Sequence, residues 1–195
     1  MNTIPIGHLL RAGITGFVAG CSVSQLDAHL GALVRAPLDK ESSVYGLITD
    51  ISIEDDGLVR QLVTAGNIPD EVMQDNRERR IVPVEISVLA VGFEQGGKTF
   101  HLLPPRPPLS LDVIYLCSDA ELAKFTSAGR FGYFRHILQA KEIPIGEVLA
   151  AHLLDVKRKT KNEKWVESAA QELITLLRDD YPTLMSVLGA LGEVV

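Results

Sequence analysis

The hydrophobic and polar positions of this chain of 195 residues follow two different periods. Up to Ser118, short apolar runs rich in Val, Ile, Thr and aromatic residues alternate with turn residues, which is typical of β-strands. Six runs are predicted as strands: ITGFVAGCS, GALVRAPL, SVYGLITDISI, VPVEISVLAVGF, KTFHLLP and DVIYLCS. Short strands at this spacing predict a small closed antiparallel barrel, because closure removes the unpaired edges that such apolar strands would otherwise expose.

One segment between the third and fourth predicted strands has a helical pattern. GLVRQLVTAG and IPDEVMQDNRERR predict two short helices over about residues 57–80, and Asp70 is placed to cap the second helix. Residues 1–118 are therefore predicted to form a barrel that carries a helical insert.

From Asp119 onward the apolar residues recur at helical spacing, which predicts a helical region over residues 119–195. Asp119 is predicted to cap the first helix, and Asn162 is predicted to cap a long amphipathic helix. Pro144 separates two further helices, and a shorter helix restarts at Pro182. The predicted fold class is α+β, with a barrel of about six strands followed by C-terminal helices.

The segment GFEQGGKT, residues 92–99, satisfies the phosphate-loop pattern G-x-x-x-x-G-K-[ST]. A phosphate loop needs a helix directly after its Lys-Thr pair, because the helix N-terminus binds the phosphates. The prolines of the next segment, LLPPRPP, forbid that helix, since each lacks an amide donor and favours an extended residue before it. A hairpin with Gly96-Gly97 as its turn, and with Phe93 opposite Phe100, explains the same residues. Nucleotide binding through this segment is the least favoured alternative, and we expect no cofactor.

Composition and charge narrow the classes of function. The formal net charge is −6, and neither the part up to Ser118 nor the part after it has an excess of Lys and Arg. This charge disfavours a dedicated nucleic-acid binder. No apolar run approaches the ~20 residues of a membrane span, and MNTIPIGHLLRAG lacks the pattern of a signal peptide. We expect a soluble cytoplasmic protein in which Cys21 and Cys117 are reduced.

The residue types that carry catalysis and metal binding show no suggestive spacing. The cysteines lack metal-ligand spacing, and so do the five histidines, which are His8, His29, His101, His136 and His152. Asp50, Glu54, Asp55 and Asp56 could suggest paired carboxylates, but turn chemistry at a strand end explains Asp55-Asp56-Gly57 without catalysis. We therefore predict a non-enzymatic protein without catalytic, metal-binding or cofactor-binding residues.

The order of strands and turns resembles the HAS barrel, the small β-barrel shared by HerA-type helicases and the catalytic-ring subunits of F-type ATP synthases. The resemblance covers roughly residues 5–118 and is carried by patterns of glycine and apolar residues. ITGFVAG, HLGALVRAP and VYGLITDIS resemble the first three strands of that family. VEISVLAVGFEQGG and LLPPRPPL resemble its closing hairpin and exit, and IPIGEVL shows a weaker similarity.

In both relatives the barrel precedes a nucleotide-binding motor domain, whereas helices are predicted in that place here. The family's barrel assembles rings and docks partners without catalytic residues of its own. The resemblance therefore implies an assembly or interaction module that lacks the motor. The expected partner is another protein or a second copy of the chain, in a role as scaffold or regulator of a separately encoded HerA-like or other ring ATPase.

Two groups of residues are candidates for such an interaction. Alternate residues of VEISVLAVGF point to opposite faces, and only one face can fill a small barrel. The other face must be covered by the C-terminal helices or by another subunit. The second group is a basic cluster, which is either a solvated helix end or the phosphate contact of a nucleic-acid-associated barrel. The candidates are Leu89, Val91 and Phe93 on the strand, and Lys157, Arg158, Lys159 and Lys161 in the basic cluster.

Overall fold

The structure is a computed structural model that describes residues 4–22, 28–53, 64 and 83–192. Within these ranges the chain forms seven strands and then five α-helices. The strands are β1 (Ile4–Ala12), β2 (Gly16–Ser22), β3 (Leu33–Pro37), β4 (Ser42–Ile53), β5 (Pro83–Gln95), β6 (Lys98–Phe100) and β7 (Val113–Leu116). The helices are α1 (Asp119–Ser127), α2 (Phe134–Leu138), α3 (Ile145–Thr160), α4 (Glu163–Leu176) and α5 (Tyr181–Gly192). Apart from Thr64, which is helical, the predicted helical insert and its Asp70 cap lie outside the described residues.

Six of these strands close into an antiparallel barrel, in the order β1-β2-β5-β4-β3-β7 and back to β1. The α+β class and the closed barrel are thereby confirmed, but the set of strands differs from the prediction. KTFHLLP supplies only the three residues of β6, which pairs with β5 and extends the sheet. Its place in the barrel is taken by β1, which was not predicted as a strand. Pro5 and Gly7 interrupt the apolar alternation of β1, so the sequence does not show a strand pattern there. The pairing of β1 with its two neighbours is also irregular, with one register shift on each side.

Inward-facing residues of the six strands fill the barrel. Several of them are alanines, which lets larger aliphatic residues fit into the narrow interior. The interior residues are Ile6, Leu9, Phe17, Ala19, Ala32, Val34, Ala36, Val44, Ile48, Val84, Ile86, Val88, Ala90 and Ile114. The predicted alternation along β5 is visible in this set, because Val88 and Ala90 lie inside the barrel while Val91 lies in a second core.

The second core lies between the barrel wall and the helices. Leu33, Tyr45, Leu47 and Val91 of the wall are buried there together with side chains of all five helices. In this layer α2 packs against β5 and α3 packs against β4, whereas α4 and α5 pack against α3. The outer face of β5 was expected to be covered by the C-terminal helices or by another subunit, and the chain's own helices cover it. Helices α2 and α3 contact the barrel wall more closely than α4 and α5 do.

The ends of the helices follow local sequence signals. Ser118 caps α1 in a capping box, in which its backbone N donates to a Glu121 carboxylate oxygen at 2.8 Å and its hydroxyl accepts from the Glu121 backbone N at 3.4 Å. The prediction that Asp119 is the cap is therefore wrong by one residue, and Asp119 begins the helix. The Asn162 cap of α4 is confirmed, since its side-chain oxygen accepts from the Trp165 backbone N at 3.1 Å.

Candidate functional site

The predicted hairpin at the phosphate-loop pattern is confirmed. Gln95 lies opposite Lys98 and Phe93 lies opposite Phe100. The φ angles of Gly96 and Gly97 are 55° and 77°, the left-handed values of a mirror-image turn that glycine adopts at little cost. The two Phe rings stack with their centroids 5.0 Å apart. The segment is thus strand, turn and strand, and the helix that a phosphate loop needs does not begin here.

The apolar candidates on β5 lie at or beneath the helical layer. Val91 is completely buried in the second core, and half-buried Leu89 packs against the same core. Phe93 is half-buried and stacks on Phe100. Most of this face is therefore occupied by the chain's own side chains.

The basic candidates surround a buried carboxylate at the end of α3. The Asp155 side chain is 2% exposed, and each of its oxygens accepts from a cation at 2.8 Å, one from Arg158 and one from Lys159. Burial raises the pKa of Asp155, but the two cations and His29 lower it overall. Lys161 ends the helix in the left-handed region, with φ of 54°. Arg158 and Lys159 thus neutralise the charge of Asp155. This pairing reduces the positive charge that the basic cluster offers to phosphates. Lys157 in the same cluster is half-buried.

The fully buried His152 joins the helical layer to the barrel. Its Nδ1 lies 3.0 Å from the Gly31 carbonyl oxygen, and its Nε2 lies 3.0 Å from the Tyr133 hydroxyl. A carbonyl can only accept, so Nδ1 carries the proton and Nε2 accepts from Tyr133. Burial lowers the pKa of His152 to about 4. The neutral ring therefore acts as a structural connection between the two layers.

His101 and the two cysteines also have structural surroundings. His101 Nε2 donates to the Phe125 carbonyl at 3.0 Å, and burial lowers the pKa of this imidazole. Cys21 and Cys117 are free thiols, and burial raises the pKa of each. Among the described residues, His, Cys, Asp and Glu side chains form no group of three or more that is arranged to hold a metal ion.

Three exposed leucines lie at the join between β1 and the segment that precedes β7. Leu10, Leu109 and Leu111 are exposed by 48%, 67% and 78%, and we call these three residues the leucine patch. The Leu111 backbone N donates to the Leu9 carbonyl at 2.8 Å, which places Leu10 and Leu111 on neighbouring segments. The Asp112 carboxylate accepts from the Leu109 backbone N at 3.1 Å and closes the turn.

Leu111 in this patch has an unusual backbone conformation. Its φ is 72°, in the left-handed region that residues with a side chain rarely adopt. Such a conformation costs roughly 1–3 kcal/mol and persists only where surrounding contacts enforce it. The strained residue presents its side chain to solvent, so it contributes little to the chain's own core. The sequence did not predict the patch, because LSLD (residues 109–112) after a proline-rich segment indicates the start of a strand but not that its leucines are exposed.

A groove of about 790 Å³ lies between the barrel and the chain that leaves α2. It is lined by the β1–β2 turn, the middle of β5 and Leu103, and by Gln139, Ala140, Lys141 and Ile143 after α2. These segments are far apart in the sequence, and no local motif marks them. We call this cavity the barrel–helix groove.

In the part of the chain that is described, no helix is long and apolar enough to cross a membrane. Comparison with known protein families finds no match, and comparison with curated proteins finds no relative either.

Proposed function

We propose that this chain is a non-enzymatic interaction module that binds another protein, or a second copy of itself, through the leucine patch. The observation that carries the proposal is Leu111, which combines a strained backbone at φ of 72° with a side chain that is 78% exposed. Strain of this kind collects at sites of function, and exposed apolar side chains that lie on neighbouring segments are candidates for a protein interface. A partner that buries Leu109 and Leu111 would supply the contacts that the isolated chain lacks.

The resemblance to the HAS barrel supports a particular class of partner. In that family the barrel assembles rings and docks partners, and this chain carries a closed barrel whose outer wall is partly covered by helices. We propose a cytoplasmic role as scaffold or regulator of a HerA-like or other ring ATPase encoded separately. The leucine patch is the surface proposed to make that contact.

Charge in the patch provides the first test. Leu109→Glu with Leu111→Glu places two carboxylates where the interface would be dry, so association with a second copy or with the ring ATPase should weaken by at least tenfold. Leu154→Glu, at a leucine of α3 that is 48% exposed and lies outside the patch, is the control. Light scattering after size-exclusion chromatography, with and without the ATPase, measures the result. A wild-type chain that stays monomeric and does not bind the ATPase would contradict the proposal.

Relief of the strain provides a second readout. Leu111→Gly removes the left-handed penalty and should leave the free energy of unfolding unchanged or raise it by about 1 kcal/mol. The same change removes a contact side chain and should weaken association. A variant that is both less stable and equally well associated would assign Leu111 a structural role only.

A further inference from the structure

We infer that the barrel–helix groove binds a small organic anion with an apolar body, of the size and chemistry of a medium-chain carboxylate. The groove measures about 790 Å³, within the range of roughly 300–1,000 Å³ that small-molecule sites occupy. Both layers of the protein contribute to it, and junctions between layers or domains are common places for ligand sites.

The floor of the groove is apolar and comes from three segments. Leu89 of β5 is half-buried, Leu103 of the exit segment is 39% exposed, and half-buried Ile143 precedes α3. These side chains retain accessible apolar surface that faces one cavity. A ligand chain of several methylene groups would remove that surface from water, at about 0.8 kcal/mol for each buried CH₂ group.

The charge of the groove selects the ligand head group. Of its lining residues, which all belong to the described ranges, Arg11 and Lys141 are cationic and none is acidic. This composition contrasts with a chain whose net charge is −6. Arg11 is paired with Glu85 at 2.9 Å, so Lys141 is the cation assigned to the ligand carboxylate. Thr15 and Gln139 add neutral side-chain donors at the same cavity.

The backbone around the groove favours a small ligand over an extended peptide. Along this stretch β5 is paired with β2 on one side and with β4 on the other. The Ala90 backbone N donates to the Thr15 carbonyl at 2.9 Å, which continues the pairing into the turn. Strand addition needs a free edge, and β5 has no such edge at the groove within the described residues.

The test uses the full chain labelled with ¹⁵N, and sodium octanoate as the probe. Octanoate is expected to shift the amide signals of residues 11–18, 87–90 and 136–143, which surround the groove. Lys141→Glu should weaken octanoate binding by about three- to tenfold, because it reverses the charge at the head group. Lys164→Glu makes the same charge change at an exposed residue of α4 and should leave the affinity unchanged. Neutral 1-octanol should bind more weakly than octanoate.

Shifts spread over other surfaces, equal affinity for octanol and octanoate, or equal effects of the two charge reversals would each overturn the assignment. None of the three leucines of the patch lines the groove. The Leu109→Glu, Leu111→Glu chain should therefore bind octanoate as the wild type does. Failure of the assembly role would leave this result unchanged.

Discussion

His152 shows how one buried side chain holds the two layers together. Its imidazole bridges the Gly31 carbonyl of the barrel side and the Tyr133 hydroxyl of the helical layer. Gly31 has φ of 74°, and a Cβ atom there would lie 2.6 Å from the His152 backbone N. The glycine is required by both its conformation and its close approach. At the residue scale the contact depends on a neutral ring, because a charged ring would be buried without a counter-ion in direct contact.

Stability should therefore fall in mild acid. The pKa of His152 is lowered from 6.5 to about 4, so the unfolded chain binds the proton more readily than the folded chain. The stabilisation is complete above about pH 6.5 and is lost as the pH falls towards the folded pKa, by roughly 2 kcal/mol at about pH 5. Urea unfolding across this range measures the loss. His152→Gln should reduce the pH dependence, whereas His8→Gln, at an exposed residue of β1, should preserve it.

Two other histidines also make the free energy of unfolding fall with acidification, and they determine the pH dependence that remains without His152. Burial lowers the pKa values of His101 and His136, so their stabilisation is also lost on acidification. The His152→Gln chain is thus expected to keep part of the pH dependence. An unchanged slope in that variant would remove His152 from this role.

The hairpin of β5 and β6 is the element that decides between two interpretations of one motif. Its double glycine takes left-handed angles, and its open end has no atom within 4 Å of a Cβ built at either glycine. The hairpin is held against α1, since the Glu94 carboxylate accepts from Tyr45 at 3.0 Å and from Lys124 at 2.8 Å. Glu94 therefore packs the end of β5 against neighbouring elements, as expected for a strand in a hairpin.

Turn chemistry predicts the effect of substitutions in this hairpin. Gly96→Asn should be nearly neutral, because Asn-Gly is a favoured mirror-image turn. Gly97→Val places a β-branched residue at φ of 77° and should lower the free energy of unfolding by about 1–2 kcal/mol. Thermal unfolding of the two variants measures these effects. The same experiment with Mg-ATP tests the nucleotide interpretation, which would be favoured if ATP stabilised the wild type and Lys98→Ala abolished that stabilisation.

At the scale of the whole molecule, the barrel has an apolar outer wall that the helices cover. Leu33, Leu47 and Val91 are each 1% exposed or less in the chain of 195 residues. A chain that ends at Ser118 would expose them together, and such a surface leads to association or precipitation. We expect this truncated chain to be insoluble or oligomeric in light scattering. Leu47→Thr with Val91→Thr should recover part of its solubility, and a soluble unmodified truncated monomer would contradict this account.

Local patterns in the sequence determined the features that depend on neighbouring residues. Glycine conformations and proline chemistry identify the hairpin at Gly96-Gly97, apolar periodicity separates strands from helices, and Asn162 marks the start of α4. These signals act within a few residues, so a sequence displays them directly. The Asp119 cap was missed by one residue because Ser118 and Glu121 form a competing capping box in the same segment.

Only the tertiary structure decided which strands close the barrel, which apolar face is covered and where the surfaces for binding lie. Closure pairs β1 with β7 and β2 with β5, and such long-range pairing leaves no mark in local periodicity. The leucine patch is defined by the exposure of its side chains, and the barrel–helix groove is defined by the residues that surround it. Both properties depend on how distant segments pack. Exposure and cavity shape arise from the sum of distant contacts, whereas turns and helix caps arise from adjacent residues.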